Sequence, residues 1–166
     1  MKRNRLGESD VHVTELGFGG GPLGELFEAV DDDTAAGALE AAWDSGIRYF
    51  DTSPHYGIGQ SERRIGALLR GRPRDAWTLS TKVGRVLVPQ DGAGRKDEAF
   101  EVPASHRRVW DFTRDGVLRS VEDSLTRMGV DRRPVPPYAR TAATASSKAR
   151  STSTCPYGSM TAARQT

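Results

Sequence analysis

The sequence has little cysteine and no long apolar run. Its 166 residues include a single cysteine, Cys155, which forms no internal disulfide by itself. A reducing compartment, the cytoplasm, is therefore expected. No stretch approaches the roughly 18 apolar residues of a membrane span, and no apolar segment of a secretory signal follows the basic residues 1–5. With a mean hydropathy of −0.57, the chain is expected to have no membrane partner.

Acidic residues are missing from the last part of the chain. Residues 133–166 contain five basic side chains and no Asp or Glu, whereas residues 1–132 contain 19 basic and 22 acidic side chains. The net charge of +2 therefore comes from this segment alone and does not predict nucleic-acid binding. No metal site is predicted either.

The same segment also lacks large apolar side chains. It has one valine and no Leu, Ile, Phe or Trp, and Ala, Ser and Thr fill 18 of its 34 positions. Such a composition buries too little apolar surface to offset the entropy of ordering, so a disordered basic tail is predicted over residues 133–166. A native low-complexity tail and an altered reading frame both explain it. The abrupt change of composition inside an expected strand favours the altered frame.

Residues 1–132, in contrast, alternate between strand and helix patterns. Short apolar runs ended by glycine or polar residues predict strands within 11–20, 47–50 and 77–81. Helical spacing predicts helices after a cap at Asp33, over about 61–70 and over 115–128. The inward stripe of the third is expected to be Val117, Leu118, Val121, Leu125 and Met128. Residues 83–110 are predicted to form a long polar loop, and the alternation predicts a parallel α/β sheet.

Reactive side chains follow two successive strands. Asp51 ends the second strand, Lys82 follows the third, and Tyr56 lies five residues past Asp51. Neighbouring strands lie about 4.8 Å apart and end at the same edge of a parallel sheet, so these groups are expected to meet. A nearby ammonium stabilises tyrosinate, which makes a phenol able to protonate a carbonyl oxygen. The matching hydride would come from a nicotinamide.

Each of these residues also has an ordinary explanation. Asp51 alone fits a loop-capping acid, Tyr56 a turn residue, and Lys82 a solvated side chain. Their combination at two successive strand ends favours the catalytic interpretation.

Several motifs together resemble the aldo-keto reductase family. They are residues 47–57 with Ser61-Glu62, the lysine motif Ser80-Thr81-Lys82, the first barrel strand at 16–20, and the helix before the fourth strand at 116–131. The match spans residues 5–132 and is most similar to the bacterial aldose (L-fucose-type) dehydrogenase branch. It implies a TIM-type (β/α)8 barrel, of which about three βα units are present. It also implies an NADP or NAD cofactor and a small carbonyl or sugar substrate.

The resemblance implies an Asp–Tyr–Lys–His tetrad. Asp51, Tyr56 and Lys82 match three members, and the histidine expected just after Asp131 has no match. His55 belongs to the family's own Pro-His-Tyr-Gly variant and is therefore a poor substitute. His106 lies in the long loop and would reach the site only by chance.

The resemblance also assigns binding positions. Gly20, Gly21 and Asp51 match the part of the cofactor site near the nicotinamide, while the rest of that site lies on later strands of the family. Trp110 and Phe112 are candidates for the substrate pocket, and packing over the third helix explains them equally well.

The sequence therefore predicts NAD(P)-dependent carbonyl reduction or alcohol and aldose oxidation by ancestry. Little or no such activity is expected of this polypeptide, because the fourth tetrad residue and most of the cofactor site are not found. One alternative is a non-catalytic interaction protein built on a partial barrel. Another is a different enzyme on a (β/α) scaffold. The oligomeric state is not predicted.

Overall fold

The computed structural model of the protein describes residues 1–92 and 94–130. The strands are β1 (Arg3–Arg5), β2 (His12–Thr14), β3 (Phe18–Gly19), β4 (Tyr49–Asp51), β5 (Thr78–Ser80), β6 (Arg85–Pro89) and β7 (His106–Trp110). The helices are α1 (Asp32–Asp44), α2 (Gln60–Arg70) and α3 (Arg114–Met128), with short 3-10 turns at Pro22–Gly24 and Arg74–Ala76.

A parallel sheet in the order β3–β4–β5 forms the centre of the molecule, as the alternation of elements predicts. Phe50 lies opposite both Phe18 and Leu79 in the register of this sheet. The next residue, Asp51, lies opposite Gly19 and Ser80. All three strands therefore end at one edge, which is where functional groups gather in parallel α/β folds.

The prediction of one strand within residues 11–20 is wrong, because two strands with different partners occupy this segment. β2 pairs antiparallel with β1, and β3 joins the parallel sheet. Between them, Thr14 Oγ1 donates a hydrogen bond to the Leu16 carbonyl at 2.7 Å. Gly17 then passes so close to Tyr49 that a Cβ would lie 2.7 Å from the ring. The chain thus turns at residues 15–17 from the hairpin into the sheet.

Helix α1 begins slightly earlier than predicted. The cap is Asp31 rather than Asp33, and its Oδ1 accepts a 2.7 Å hydrogen bond from the Thr34 amide. A capping side chain reaches the amide three residues ahead, so Asp33 lies too late to cap this helix. Gly46, with φ of +89°, follows the helix as predicted.

The main hydrophobic core lies between the sheet and the helices. It includes the predicted inward residues Ile65, Leu68 and Leu69 of α2. Its other buried members come from the sheet, α1, the end of α3 and the adjoining segments: Leu23, Ala35, Leu39, Trp43, Phe50, Trp77, Leu79 and Met128. This core fixes the sheet edge that bears Asp51 and Lys82.

The predicted inward stripe of α3 is wrong except at Met128. The buried residues of this helix are Gly116, Ser120, Ser124 and Met128. At Gly66 of α2, a Cβ would lie 2.2 Å from the Met128 carbonyl oxygen. The two helices approach so closely that small residues fill the contact, and the larger side chains of the predicted stripe lie beside it.

The predicted loop over residues 83–110 contains an antiparallel hairpin, which corrects that prediction. β6 pairs with β7, so that Arg85 lies opposite Trp110 and Pro89 opposite His106. A second, smaller core beneath the hairpin contains Ile58, Leu87, Phe100 and Val102. The hairpin is therefore an ordered wall beside the sheet edge.

The strand expected after Asp131, the absent histidine and the tail over residues 133–166 lie outside the described residues. Within residues 1–92 and 94–130, no helix has both the length and the apolar character needed to cross a membrane.

Candidate active site

Asp51 and Lys82 form an ion pair where two neighbouring strands end. Lys82 Nζ donates to Asp51 Oδ2 at 2.7 Å and to the Thr52 carbonyl at 2.9 Å. Asp51 is the last residue of β4, and Lys82 follows β5 by two residues. The strand register therefore brings together the two groups that the sequence predicts to meet.

The other oxygen of Asp51 is held by a serine that the sequence reasoning missed. Ser80 Oγ donates to Asp51 Oδ1 at 2.6 Å, and the Tyr49 hydroxyl lies 3.0 Å from Ser80 Oγ. Because the single Ser80 proton goes to Asp51, Tyr49 is the donor in the second bond. The signal for Ser80 is its position opposite Asp51 in a parallel register, which only the pairing of β4 with β5 reveals.

The surroundings of Lys82 favour its charged form. Burial lowers the pKa of the Lys82 ammonium, but the hydrogen bond and charge of Asp51, joined by those of Tyr56, raise that pKa above its ordinary value. The side chain of Lys82 is 48% exposed and that of Asp51 37%, so the pair is open to incoming molecules.

The Tyr56 ring lies beside this pair. Lys82 Nζ is 4.9 Å from the centroid of the Tyr56 ring. The Tyr56 amide donates to the Ser53 carbonyl at 3.1 Å, which folds the chain back over the strand end. Behind the tyrosine, Gly24 and Gly57 touch each other: a Cβ on Gly24 would lie 2.5 Å from the Tyr56 carbonyl carbon, and one on Gly57 would lie 2.5 Å from the Gly24 oxygen. These contacts set the backbone position of Tyr56.

A cavity of about 300 Å³ adjoins two of the three predicted catalytic residues, Tyr56 and Lys82. Its walls are formed by the loop after β4, the segment between β5 and β6, the start of β6 and the end of β7: Ser53, Pro54, His55, Tyr56, Lys82, Val83, Arg85 and Trp110. Tyr56 and Lys82 thus face a space that is large enough for a small organic molecule.

Of the two aromatic residues predicted for a substrate pocket, Trp110 lines this cavity and Phe112 does not. The Phe112 ring stacks on Trp110 with centroids 5.6 Å apart. It also packs against Gly84, where a Cβ would lie 2.2 Å from the ring. Arg85 lies 4.1 Å from the centroid of the Trp110 ring. Trp110 is therefore a wall of the cavity, and Phe112 supports it.

The two histidines considered as substitutes for the missing tetrad member occupy different places. His55 lines the cavity and packs edge-on against Phe100, with centroids 5.1 Å apart. Burial, followed by the charges of Arg108 and Arg85, lowers the pKa of His55, so its neutral form is favoured. His106 pairs with Pro89 at the opposite end of the hairpin from Trp110 and does not line the cavity.

The two glycines predicted to approach a cofactor face different surroundings. The Gly20 amide donates to the Asp51 carbonyl at 2.8 Å, and a Cβ on Gly20 would lie 2.5 Å from Ser61 Oγ. Gly20 is therefore required by close packing. A Cβ on Gly21 would meet nothing within 4 Å. The space beside Gly21 is therefore open, whereas that beside Gly20 is filled.

Comparison with known proteins places this geometry in a family. A sequence model described as the aldo/keto reductase family matches residues 15–133. The chain is 48% identical over 124 residues to a D-threo-aldose 1-dehydrogenase of a Pseudomonas species; the match covers 72% of this chain and 38% of the relative. It is 42% identical over 138 residues to a pyridoxal 4-dehydrogenase of Microbacterium luteolum, covering 77% and 40%.

The fold is similar to that of solved structures. The holo form of the aldo-keto reductase AKR11C1 from Bacillus halodurans superposes with a TM-score of 0.59 and 33% identity, covering 79% of this chain and 37% of that one. The predicted family and fold class are thereby confirmed. The chain spans about two fifths of the length of these relatives.

Proposed function

Because the chain belongs to the aldo/keto reductase family, we propose that Asp51, Tyr56 and Lys82 form the proton-transfer part of an oxidoreductase active site. The reaction interconverts a carbonyl group with an alcohol or a sugar hydroxyl. A nicotinamide cofactor, which the family uses, supplies or accepts the hydride when bound.

One observation carries this proposal. A lysine that pairs with a carboxylate at 2.7 Å lies 4.9 Å from a tyrosine ring, and the lysine and tyrosine both line one cavity. An ion pair with a purely structural role has no need of a phenol beside it or of an adjoining cavity. General acid–base catalysis needs all three features.

Each residue has a separate task in this mechanism. Tyr56 donates its phenolic proton to a carbonyl oxygen in reduction, and in oxidation its tyrosinate removes the hydroxyl proton. The Lys82 ammonium stabilises the tyrosinate through its positive charge. Asp51 and the Thr52 carbonyl hold Lys82 in place, with hydrogen bonds of 2.7 and 2.9 Å.

The substrate we propose is an aldose or another small carbonyl compound. Two relatives at 48% and 42% identity are named for dehydrogenation of an aldose and of pyridoxal. The cavity of about 300 Å³ offers an indole wall at Trp110 and polar groups at Ser53 and Arg85, a combination that suits a hydroxylated molecule.

Cofactor binding and turnover test the proposal on the full 166-residue chain. The purified, monodisperse protein is titrated with NADH and NADPH by nicotinamide fluorescence, and reduction of NAD+ and NADP+ is followed with a panel of aldoses. Turnover that falls by about 100-fold or more in Tyr56→Phe supports the assigned role. Equal rates in both proteins contradict that role. A folded protein with neither binding nor turnover contradicts the proposal for this chain and agrees with the low activity expected from its sequence.

A further inference from the structure

The first turn of α2 contacts Tyr56 and the chain neighbours of Asp51 and Lys82. Ser61 Oγ lies 2.8 Å from Thr52 Oγ1, and Thr52 is the residue after Asp51. Thr81 Oγ1 donates to Glu62 Oε1 at 2.8 Å, and Thr81 is the residue before Lys82. The Ser61 amide donates to the Tyr56 carbonyl at 3.3 Å. Two consecutive residues of one helix thus hold two different strand ends.

The hydrogen bond between Thr52 and Ser61 is buried, and the one between Thr81 and Glu62 is partly buried. Thr52, Ser61 and Glu62 are all fully buried. A buried carboxylate is costly unless it is paired, and Arg127 of α3 provides that pair by donating from Nε to Glu62 Oε2 at 2.6 Å. Arg127 also donates to Ser124 Oγ at 3.1 Å. The carboxylate is thereby fixed between α3 on one side and Thr81 on the other.

The two oxygens of Glu62 accept hydrogen bonds from different parts of the chain, Oε2 from Arg127 of α3 and Oε1 from Thr81. An ion pair between α2 and α3 needs only the oxygen that accepts from Arg127. The second oxygen accepts from Thr81, the first residue beyond the end of β5 and directly before Lys82. Lys82 in turn donates to the carbonyl of Thr52, whose hydroxyl is held by Ser61. Both ends of the Asp51–Lys82 pair are therefore tied to the same helical turn.

We propose that Ser61 and Glu62 are positioning residues that act through the side chains of Thr52 and Thr81 to keep Lys82 against Asp51. Neither residue touches the cavity, and neither takes part in proton transfer. The inference rests on the proposed function for its catalytic meaning. The position of Lys82 relative to Asp51, in contrast, can be tested without cofactor or substrate.

The titration of Lys82 provides the readout. The chain has four lysines, Lys2, Lys82, Lys96 and Lys148, so selective 13C labelling of lysine gives few Cε resonances. The resonance lost in Lys82→Arg identifies Lys82. Among the described residues, Asp51 and Tyr56 are the side chains that raise the pKa of the Lys82 ammonium, so its titration midpoint reports its distance from them.

The decisive variant is Thr81→Val, which removes the hydroxyl that Glu62 holds and keeps the shape of the side chain. We expect the Lys82 midpoint to fall toward that of an ordinary lysine by about 0.5 pH unit or more, roughly a threefold change in the proton dissociation constant. Thr81→Ser retains the hydroxyl and is expected to keep the wild-type midpoint.

The matched control is Ser124→Ala, which removes another side-chain hydrogen bond of the same Arg127 and leaves the hydroxyls of Ser61 and Thr81 in place. It is expected to lower the melting temperature and leave the Lys82 midpoint unchanged. If Thr81→Val does not fold, Ser61→Ala provides the same test through Thr52. A wild-type midpoint in the folded Thr81→Val or Ser61→Ala protein would overturn the inference, whatever the outcome of the turnover assay.

Discussion

Ser80 and Asp51 are joined across two parallel strands by a hydrogen bond of 2.6 Å, donated by the serine hydroxyl. The remaining carboxylate oxygen accepts from Lys82 at 2.7 Å. Since both oxygens of Asp51 are engaged, its carboxylate has a defined orientation, and the register of β4 with β5 determines where the ammonium lies. The pairing of the strands therefore positions the Lys82 ammonium, the positive charge that the proposed reaction needs.

Replacing Lys82 by methionine is expected to separate stability from catalysis. Lys82 and Asp51 are substantially exposed, and exposed ion pairs contribute less than about 1 kcal/mol. Urea unfolding of Lys82→Met should therefore show a small loss of stability. Where the wild-type chain oxidises an aldose, as proposed, that rate should fall by about 10²- to 10⁴-fold if Lys82 supports proton transfer. Lys96→Met, which removes the exposed pair with Glu101, is the control and should keep the rate. Equal rates in the two variants would contradict the role of Lys82.

Trp110 is expected to report binding in the cavity by its fluorescence. Among the three tryptophans, Trp43 and Trp77 are 8% and 4% exposed, whereas Trp110 is 60% exposed. Acrylamide should therefore quench mainly Trp110, and a saturating aldose should protect it. Trp110→Phe should abolish both the strong quenching and the protection. Phe112→Leu, which changes a ring outside the cavity, should retain the protection; protection that persists in Trp110→Phe would place the ligand elsewhere.

Two glycines within helices are expected to respond oppositely to alanine. At Gly66 a Cβ would lie 2.2 Å from the Met128 carbonyl oxygen, and backbone cannot yield without separating α2 from α3. Gly66→Ala should destabilise the protein by about 1–3 kcal/mol. Gly37 of α1 has nothing within 4 Å of its Cβ position, so Gly37→Ala should stabilise by about 0.4–1 kcal/mol. Chemical denaturation measures both, and a stabilising Gly66→Ala would show that the helices are not in contact there.

Acidification is expected to destabilise the protein through His55. Its pKa in the folded protein is lowered by burial and then by Arg108 and Arg85, so the unfolded chain binds the proton more readily. Stability from this group is present above the ordinary pKa of about 6.5 and is lost as the pH falls through the lower folded value. His106, whose pKa is lowered by burial and then by Arg63 and Arg127, acts in the same direction.

The measurement for this prediction is the melting temperature between about pH 8 and pH 5, a range above the ordinary pKa of aspartate. His55→Gln should show a smaller decrease than the wild-type protein over this range. Identical pH profiles would show that His55 does not contribute.

Local patterns in the sequence predict much of the fold and of the candidate site. The alternation of strand and helix patterns predicts the parallel sheet. The two glycines predicted to end helices, Gly46 and Gly129, have the positive φ angles of 89° and 61° that are typical of this position. Asp51 and Lys82 are found because strand ends of a parallel sheet meet at one edge. No contact between distant segments needs to be known for these predictions.

The features that were missed depend on such distant contacts. Strand β7 reads His-Arg-Arg-Val-Trp, and only pairing with β6 makes it a strand. Glu62 is buried because Arg127, 65 residues later, neutralises it. Likewise, α3 buries the face that carries its small residues because Gly66 of α2 approaches Met128 closely. In the sequence alone, a polar residue that is buried with a distant partner cannot be distinguished from a surface residue, because the fold brings the two partners together.

The contact between Gly24 and Gly57 limits which parts of the site can be changed by redesign. Each glycine occupies the space that a side chain on the other would need, and the Tyr56 backbone is confined behind them. The backbone at Tyr56 therefore has little room to shift, whereas the cavity wall formed by Trp110 belongs to a separate element, the β6–β7 hairpin. Redesign for a larger substrate should accordingly begin at the hairpin, because a bulkier residue at position 24 or 57 would displace Tyr56, the proposed acid.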